Sequence, residues 1–274
     1  KLIFVTECFP SLSAKIAQEV AERLKKSCKI TVLASDILIE KMSKVIKEEE
    51  YINGIKVIRF KAFLTNISYT PYIFYSPLVF RRLEKVIDHE VDDNSIVHLH
   101  STYGLLNLLT ALCKNLRKRS TAMIWTSQGI PSGYFSFTLG IAARLLMKSV
   151  KSMTIDHCRF ITTVGSRDRD FWVSKGVPKD IVRCIPNGVD TKVFKPCEYL
   201  QNQHRKALGF DDDDIVVMFL AQFRQAKGIN VLLEAIPKVI SHNSRVKFLL
   251  AGGGPLVDIV KSHVLKYQLE DHVI

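Results

Sequence analysis

Short apolar runs alternate along the chain with longer segments in which apolar residues recur at helical spacing. In the first helical segment Ile16, Val20 and Leu24 fall on one face, whereas residues 55–60 alternate as a more exposed strand. The pattern predicts strands at residues 2–6, 29–35, 55–60, 95–100, 122–126, 159–164 and 182–185, and further helices at 78–87, 105–116, 134–153 and 168–174. Strands that alternate with helices favour parallel βαβ units in a doubly wound sheet.

Residues 185–190 interrupt this alternation with turn-forming residues. Pro186 fixes φ and Asn187-Gly188 is a strong turn dipeptide, which taken alone is typical of a surface turn. After it the alternation restarts, with strands at 215–221, 246–251 and 273–274 and helices at 201–208, 229–240 and 256–269. We therefore interpret the segment as a hinge between two domains.

The two predicted domains are both Rossmann-like α/β units built on doubly wound parallel sheets, the first at residues 1–196 and the second at 197–274. Such sheets usually have five or six strands, and the second region supplies about three. We therefore expect the second domain to be incomplete and the sequence to be cut short.

Two loops at the predicted carboxyl ends of strands favour anion binding, because ligands of open α/β sheets bind at that edge. Gly252-Gly253-Gly254-Pro255 follows a strand and opens a helix whose free N–H groups suit a phosphate. Lys227 precedes the helix after the neighbouring strand. A tight turn and a solvated lysine are the simpler explanations of each loop. Together the loops indicate a diphosphate, and Val257 at the third glycine position excludes the dinucleotide fingerprint.

The sequence resembles the retaining nucleotide-sugar glycosyltransferases of family four, which have the GT-B fold. The matching motifs occur in family order across essentially the whole chain: His98-x-His100-Ser101, Val164-x-Ser166, Pro186-Asn187-Gly188-Val189-Asp190 with Phe194 and Pro196, Lys227-Gly228, and Gly252-Gly253-Gly254-Pro255. The resemblance implies two facing Rossmann-like domains, the first binding an acceptor and the second the nucleotide sugar. The implied reaction moves a sugar from a UDP- or GDP-sugar to a lipid-linked or glycan acceptor with retention of configuration.

The sequence departs from the family pattern at three places. Residues 11–14 lack the usual glycine pair, Gln128 replaces a histidine, and Gln222 replaces an arginine that helps to neutralise the leaving diphosphate. Arg224 lies two residues further on and is a candidate substitute. Because of these departures and the expected incompleteness, we expect this chain to be a poor catalyst.

The resemblance assigns the candidate residues to two roles. The catalytic candidates are Lys227, Gln222, Arg224, His100 and Gln128. The donor-binding candidates are Gly252, Gly253, Gly254, Lys227, Asn187 and Ser166. The nucleotide sugar is a substrate here; no tightly bound cofactor is expected, and no carboxylate cluster indicates a protein-held metal.

The net charge of +12 is concentrated in one region, because no acidic residue occurs between Asp93 and Asp156. Within it, Arg144, Lys148 and Lys151 share one face of the helix predicted at 134–153, beside a second basic cluster at 114–119. This arrangement suits an anionic membrane surface or a lipid-linked acceptor, and equally a core helix with a solvated face. We expect a cytoplasmic protein, because the cysteines are scattered without zinc spacing and the sequence shows no signal peptide and no apolar run long enough to span a bilayer. If the helix at 134–153 docks on the membrane, the protein would be peripheral at the membrane face.

Three alternatives stay open on the sequence alone. A degenerate, non-catalytic homologue that acts as a binding partner would explain the departures from the family pattern. A GT-B sugar epimerase would use the same fold. A nucleic-acid-binding protein is suggested by charge only, and because no nucleic-acid motif is present we expect no nucleic-acid partner.

Overall fold

The computed structural model describes residues 1–10, 15–38, 43–67, 70–100, 105–113, 116, 121–128, 152 and 154–274. It divides into two compact units, Lys1–Gly188 and Val189–Ile274. The division follows the Asn187-Gly188 dipeptide, eight residues before the boundary that we placed after Pro196. The assignment of whole domains to 1–196 and 197–274 stays a prediction.

The first unit is an α/β fold. In the described residues its strands are β1 (Leu2–Val5), β2 (Ile30–Ser35), β3 (Ile37–Leu38), β4 (Ser43–Lys44), β5 (Glu49–Ile52), β6 (Ile55–Phe60), β7 (Ala62–Ile67), β8 (Thr70–Tyr75), β9 (Ile96–His100), β10 (Ala122–Ser127), β11 (Phe160–Thr163) and β12 (Val182–Cys184). Its α-helices are α1 (Lys15–Leu24), α2 (Pro77–Glu90), α3 (Leu105–Leu112) and α4 (Ser166–Ser174).

An eight-stranded sheet in the order β12-β11-β10-β9-β1-β2-β6-β5 forms the centre of this unit. All neighbours are parallel except β5 and β6, which form an antiparallel hairpin. The order reverses at β1, so the carboxyl ends of β1 and β9 lie side by side at the topological switch point, where ligands of such sheets bind.

The central strands β1 and β2 are mostly apolar, and their side chains pack into two apolar cores, one on each face of the sheet. Every residue of β2 is buried, a pattern typical of parallel sheets between layers of helices. One face packs Trp125 and Trp172, whose rings meet edge to face with centroids 4.9 Å apart. The other face packs Phe4 and Phe9 against Ala21 of α1.

The second unit begins the same alternation again. Its elements are helix α5 (Glu198–Ala207), strand β13 (Ile215–Leu220), helix α6 (Ile229–His242), strand β14 (Val246–Ala251) and helix α7 (Val257–Lys266). Strands β13 and β14 are parallel over six residue pairs, and Val273 forms a parallel bridge to Phe248 on the other side of β14. Helix α6 packs Ile229, Leu233 and Ile236 into the apolar core of this unit.

Two of our predictions about the first unit are wrong in detail. In α1 the buried residues are Ala17 and Ala21, one position beyond the predicted face, and Leu24 is 39% exposed. Residues 55–60 form an almost fully buried strand, because Ile58 and Phe60 pack into the apolar core on one face of the sheet and Ile55 and Val57 into the core on the other. The fully buried polar residue of this strand, Arg59, pairs with Glu50 at 2.6 Å.

Three antiparallel strand pairs were missed altogether: β3 with β4, β5 with β6, and β7 with β8. The β5–β6 hairpin turns at Asn53-Gly54, where both residues have positive φ, and β7 pairs with β8 antiparallel. The predicted helix at 105–116 ends at Leu112. The predicted helix at 134–153 falls almost wholly outside the described residues.

Candidate functional site

His100 lies at the carboxyl end of β9 and is buried. Its Nε2 atom is 2.8 Å from Nε2 of Gln128, which follows β10. Its Nδ1 atom is buried and has no hydrogen-bond partner among the described residues. Burial lowers the pKa of His100 to about 4, so the imidazole is neutral at pH 7. The structure therefore brings together two of the predicted site residues, and His100 offers one unused ring nitrogen.

A second polar row crosses the same end of the sheet beside His100. His98 Nε2 is 2.6 Å from Oγ1 of Thr126, which is 2.7 Å from Oγ1 of Thr162 on the next strand. Burial and the nearby His100 lower the pKa of His98 to about 3. We had quoted His98 only as part of a motif. Its role in the sheet depends on the two threonines of neighbouring strands, which are far apart in sequence.

Glu7, in the loop after β1, is a site residue that sequence reasoning missed. Its carboxylate accepts a 2.5 Å hydrogen bond from the Tyr75 hydroxyl and a 2.8 Å bond from the N–H of Leu106. Burial raises the pKa of Glu7 to about 7, although both hydrogen bonds act in the opposite direction. A glutamate after a strand carries no sequence signal of such partners, because they lie 68 and 99 residues away.

Ser166 and Asn187, two further predicted site residues, also belong to the first unit. Ser166 is the exposed first residue of α4, and Asn187 is exposed in the segment that precedes the second unit. Their donor-binding role stays a prediction.

In the second unit the glycine loop packs directly against the end of β13. A Cβ on Gly252 would stand 1.9 Å from the carbonyl oxygen of Ala221, and Gly254 has φ +137°. A Cβ on Gly253 would meet nothing within 4 Å. Gly252 is therefore required by close backbone approach, and the exposed Gly253 leaves open space in front of the loop.

The segment after β13 is joined to this loop by backbone hydrogen bonds. The N–H of Phe223 donates to Gly253 at 2.8 Å, and its carbonyl accepts from Leu256 at 3.1 Å. The buried Phe223 ring anchors the segment, and Gly228 ends a short 3₁₀ turn at φ 76°. The loops that follow β13 and β14 therefore lie side by side, as the sequence predicted.

Three polar candidates project from this segment. Gln222 and Lys227 are exposed, and Arg224 is partly buried. The Nε atom of Arg224 is buried without a partner among the described residues. Helix α7 begins without a side-chain cap, and the N–H of Val257 donates to the Gly254 carbonyl at 3.2 Å, which leaves the next two N–H groups of the first turn as candidate donors to a ligand. Two basic side chains, an open glycine loop and a helix N-terminus form an anion-binding arrangement.

The candidates fall into two groups, one in each unit. His100 and Gln128 belong to the first unit; the glycine loop, Gln222, Arg224 and Lys227 belong to the second. In the parts of the chain that the structure describes, no group of three or more metal-ligating side chains occurs and no helix is long and apolar enough to cross a membrane. The basic residues proposed for membrane contact, at 114–119, 144, 148 and 151, lie outside the described residues.

Two family models match the chain. Glycosyltransferase Family 4 matches residues 13–193, and Glycosyl transferases group 1 matches residues 201–274. Together they cover both units and the candidate residues of each.

Curated relatives agree with this result. An uncharacterised glycosyltransferase of Methanocaldococcus jannaschii is 26% identical over 82% of this chain and 55% of its own length. The phosphatidylinositol N-acetylglucosaminyltransferase GPI3 subunit of Saccharomyces cerevisiae is 28% identical over 64% of this chain and 37% of its own. The chain thus spans about half, or less, of the length of these relatives.

Solved structures share the fold. Anabaena HepE in complex with UDP superposes with a TM-score of 0.72 at 14% identity, covering 100% of this chain and 68% of that one. WaaG, a glycosyltransferase involved in lipopolysaccharide biosynthesis, gives a TM-score of 0.60 at 11% identity, covering 100% and 69%. The fold is therefore that of the GT-B glycosyltransferases.

Proposed function

Because the chain belongs to glycosyltransferase family 4, we propose that it takes part in sugar transfer from a UDP- or GDP-sugar to an acceptor, with retention of configuration. Its glycosyltransferase character follows from the family and the GT-B fold. The donor class is supported by the crystal structures of HepE with UDP and with UDP-glucose. Retention rests on the family resemblance.

The observation that carries the proposal is the packing of the glycine loop against the segment from Gln222 to Gly228. Hydrogen bonds through Phe223 fix the two loops together, so the open face of Gly253 and the start of α7 belong to one rigid surface. A diphosphate bound there would accept hydrogen bonds from backbone N–H groups. Its charge would be balanced by Lys227 and Arg224.

Charge balance at this surface is also the proposed source of catalysis. When the donor's bond to the sugar breaks, negative charge develops on the departing diphosphate, and preorganised donors stabilise it. The exposed Lys227 is free to reach such a charge, since the structure shows no partner for its ammonium group among the described residues. Arg224 is the second cation, in place of the arginine that the family carries where this chain has Gln222.

The acceptor is proposed to bind at the carboxyl edge of the first unit. There His100 and Gln128 lie side by side at the ends of neighbouring strands, and the buried Nδ1 atom of His100 has no partner among the described residues. The GPI3 subunit is named as acting on phosphatidylinositol, which supports a lipid or lipid-linked acceptor here. The basic residues at 114–119 and 144–151 would then hold the protein peripherally at an anionic membrane face.

Nucleotide binding tests the donor site directly. Isothermal titration with UDP and GDP should show binding that Lys227→Ala weakens at least tenfold, because a charge-assisted contact is worth about 1.5–3 kcal/mol. Lys238→Ala is the matched control, since Lys238 is an exposed lysine near the end of α6 and its loss changes the net charge equally. Equal affinities for the two variants, or no binding of either nucleotide to the native chain, would refute the proposal.

Transfer itself tests the role given to the residue at position 222. With radiolabelled UDP- or GDP-sugars and lipid acceptors, Gln222→Arg should raise the rate, because one electrostatic donor at a developing charge is worth about 100- to 1000-fold. Arg224→Gln should lower it. A rate that neither substitution changes would show that the charge at this loop takes no part in the reaction.

Membrane association is tested with vesicles. Co-sedimentation should be stronger with anionic than with neutral vesicles, and should fall when Arg144, Lys148 and Lys151 become Ser, at about 1 kcal/mol per residue. Equal sedimentation with both lipid mixtures would exclude electrostatic docking through this region.

A further inference from the structure

A cavity of about 250 Å³ opens at the carboxyl ends of β2 and β6 in the first unit. Asp36 follows β2 and Lys61 follows β6, and these two strands are parallel neighbours. Arg82 of α2 and the segment 44–48, which joins β4 to β5, complete the lining. In the strand order β1 lies between this cavity and His100, so the cavity is a second place at the edge where ligands of such sheets bind.

Basic side chains dominate the lining of the cavity. It contains five basic residues and two acidic ones: Lys44, Lys47, Arg59, Lys61 and Arg82 against Asp36 and Glu48. Glu50, which pairs with Arg59 at 2.6 Å, is a third carboxylate nearby. Even with Glu50 counted, the basic groups exceed the acidic ones by two. The electrostatic potential inside the cavity therefore favours an anion.

The fold holds two of the basic groups in place. Arg59 is buried, and its guanidinium donates to the Glu50 carboxylate and, at 3.1 Å, to the carbonyl of Ser35. The guanidinium of Arg82 lies over the Phe60 ring, 5.3 Å from its centroid, and pairs with Glu48 at 3.2 Å. Because Glu48 is exposed, water screens this ion pair and it contributes little. An incoming anion can therefore replace Glu48 at Arg82.

Two lysines of the lining are unpaired. Lys47 and Lys61 are exposed, and neither forms a hydrogen bond or an ion pair with another described residue. Lys44 differs, since its ammonium group donates to the carbonyl of Ala62 at 2.8 Å. The N–H of Ala62 in turn donates to the carboxylate of Asp36 at 2.9 Å, which turns one oxygen of Asp36 towards the backbone. An anion in the cavity would thus meet Lys47, Lys61 and Arg82.

We propose that this cavity binds a phosphate group. A phosphomonoester carries a charge of about −1.5 to −2 at pH 7 and presents three strong acceptor oxygens. That charge matches the excess of two basic groups, and a guanidinium with two ammonium groups supplies the donors. The inference needs no sugar transfer, and the cavity belongs to the first unit whereas the glycine loop belongs to the second. Failure of one proposal therefore leaves the other standing.

The phosphate belongs either to a soluble molecule or to a lipid headgroup. Ile46 lines the cavity and is 97% exposed, and the exposed Phe63 ring has Lys44 Nζ 5.3 Å from its centroid. A lipid would cover Ile46, whereas a soluble phosphate would leave it in water. Substitution of Ile46 therefore distinguishes the two sources.

Amine acetylation followed by peptide mass mapping tests the site one lysine at a time. In the native chain glycerol 3-phosphate should protect Lys47 and Lys61, but not Lys26, an exposed lysine just after α1. In Lys47→Gln the concentration that half-protects Lys61 should rise on the order of tenfold, because one charge-assisted contact is lost. The control Lys26→Gln removes the same charge from the first unit and should leave that concentration unchanged.

Vesicles that contain phosphatidic acid present the same phosphate on a lipid. If Ile46→Ser weakens the protection of Lys61 by these vesicles and not by glycerol 3-phosphate, the proposal holds and the natural source is a lipid headgroup. If Ile46→Ser changes neither, the proposal holds and the phosphate alone is recognised. No protection of Lys61 by either probe, equal protection of Lys26, or an unchanged half-protecting concentration in Lys47→Gln would overturn the proposal.

Discussion

Substitution by alanine should have different effects at Gly252 and Gly253, two neighbouring glycines of the same loop. At Gly252 we expect a loss of stability, and at Gly253 a loss of nucleotide affinity. A Cβ at Gly252 would stand 1.9 Å from the Ala221 carbonyl oxygen, whereas ordinary contact begins near 3.4 Å. The obstacle is backbone, so β13 and β14 would have to separate by roughly 1.5 Å, the difference between these two distances. That movement also strains the 3.2 Å bond from the Ala221 N–H to Ala251 and the 2.8 Å bond from Phe223 to Gly253.

The cost follows from these contacts. Overpacking costs about 1–3 kcal/mol, and each weakened hydrogen bond adds about 1 kcal/mol. We expect Gly252→Ala to destabilise the second unit by roughly 3 kcal/mol, which lowers its melting temperature by at least about 10 °C. Gly253→Ala should change stability by less than about 0.5 kcal/mol, since its Cβ meets nothing, yet it should weaken UDP or GDP binding by filling the open face.

Hydrogen exchange of residues 246–260 with thermal circular dichroism is the suitable assay, because Trp125 and Trp172 are the chain's two tryptophans and both report on the first unit. Equal protection and equal melting in Gly252→Ala and Gly253→Ala would refute the close-approach argument. Unchanged nucleotide affinity in Gly253→Ala would refute the assignment of the open face to phosphate.

Three further predictions concern ionisable groups. Glu50→Ala leaves Arg59 buried without its carboxylate partner and should lower the free energy of unfolding by on the order of 3 kcal/mol. Glu49→Ala, which removes an exposed carboxylate, should lower it little. Urea unfolding followed by tryptophan fluorescence measures both, and equal losses would contradict this reasoning. Burial of Glu90 is outweighed by hydrogen bonds from two lysines, so its pKa is lowered to about 2. Its contribution to stability is present above pH 4.5 and should be lost as the pH falls towards 2. In Glu90→Gln the free energy of unfolding should therefore depend less on pH in this range. The exposed Cys197 should react with iodoacetamide in the native chain, as peptide mass mapping can show. The buried Cys113 and Cys158, whose pKa values burial raises to about 12, should react only after unfolding.

The strand and helix order was predictable because parallel sheets leave long apolar runs and amphipathic helices leave periodic ones. The buried face of α1 was not predictable, because small residues such as Ala17 and Ala21 contribute little to a hydrophobic pattern although they allow close approach to the sheet. The β5–β6 hairpin was missed although Asn53-Gly54 is a strong hairpin signal, since the charged residues of β5 hid its alternation. The alternation in β6 wrongly predicted one exposed face, although its side chains pack into apolar cores on both faces of the sheet.

Some contacts of the candidate site were likewise predictable from the sequence and others were not. The pairing of the glycine loop with the segment around Phe223 was predictable, because both follow neighbouring parallel strands and must meet at one edge. The contact between His100 and Gln128 follows from the same rule applied to β9 and β10. Glu7 was not predictable, since its partners come from a hairpin and a helix whose positions depend on the tertiary fold.

The two outer strands of the eight-stranded sheet carry features that oppose pairing with a further strand. An exposed, flat edge of unpaired N–H and C=O groups is a template for aggregation. At one edge the antiparallel β5 places charged Glu49 and Glu50 where a further strand would dock, and at the other β12 offers only the short run Val182–Cys184, which carries Arg183. Neutral β-branched residues at 49 and 50 would therefore remove the charges that oppose pairing of β5 with a strand of another copy, and would favour aggregation.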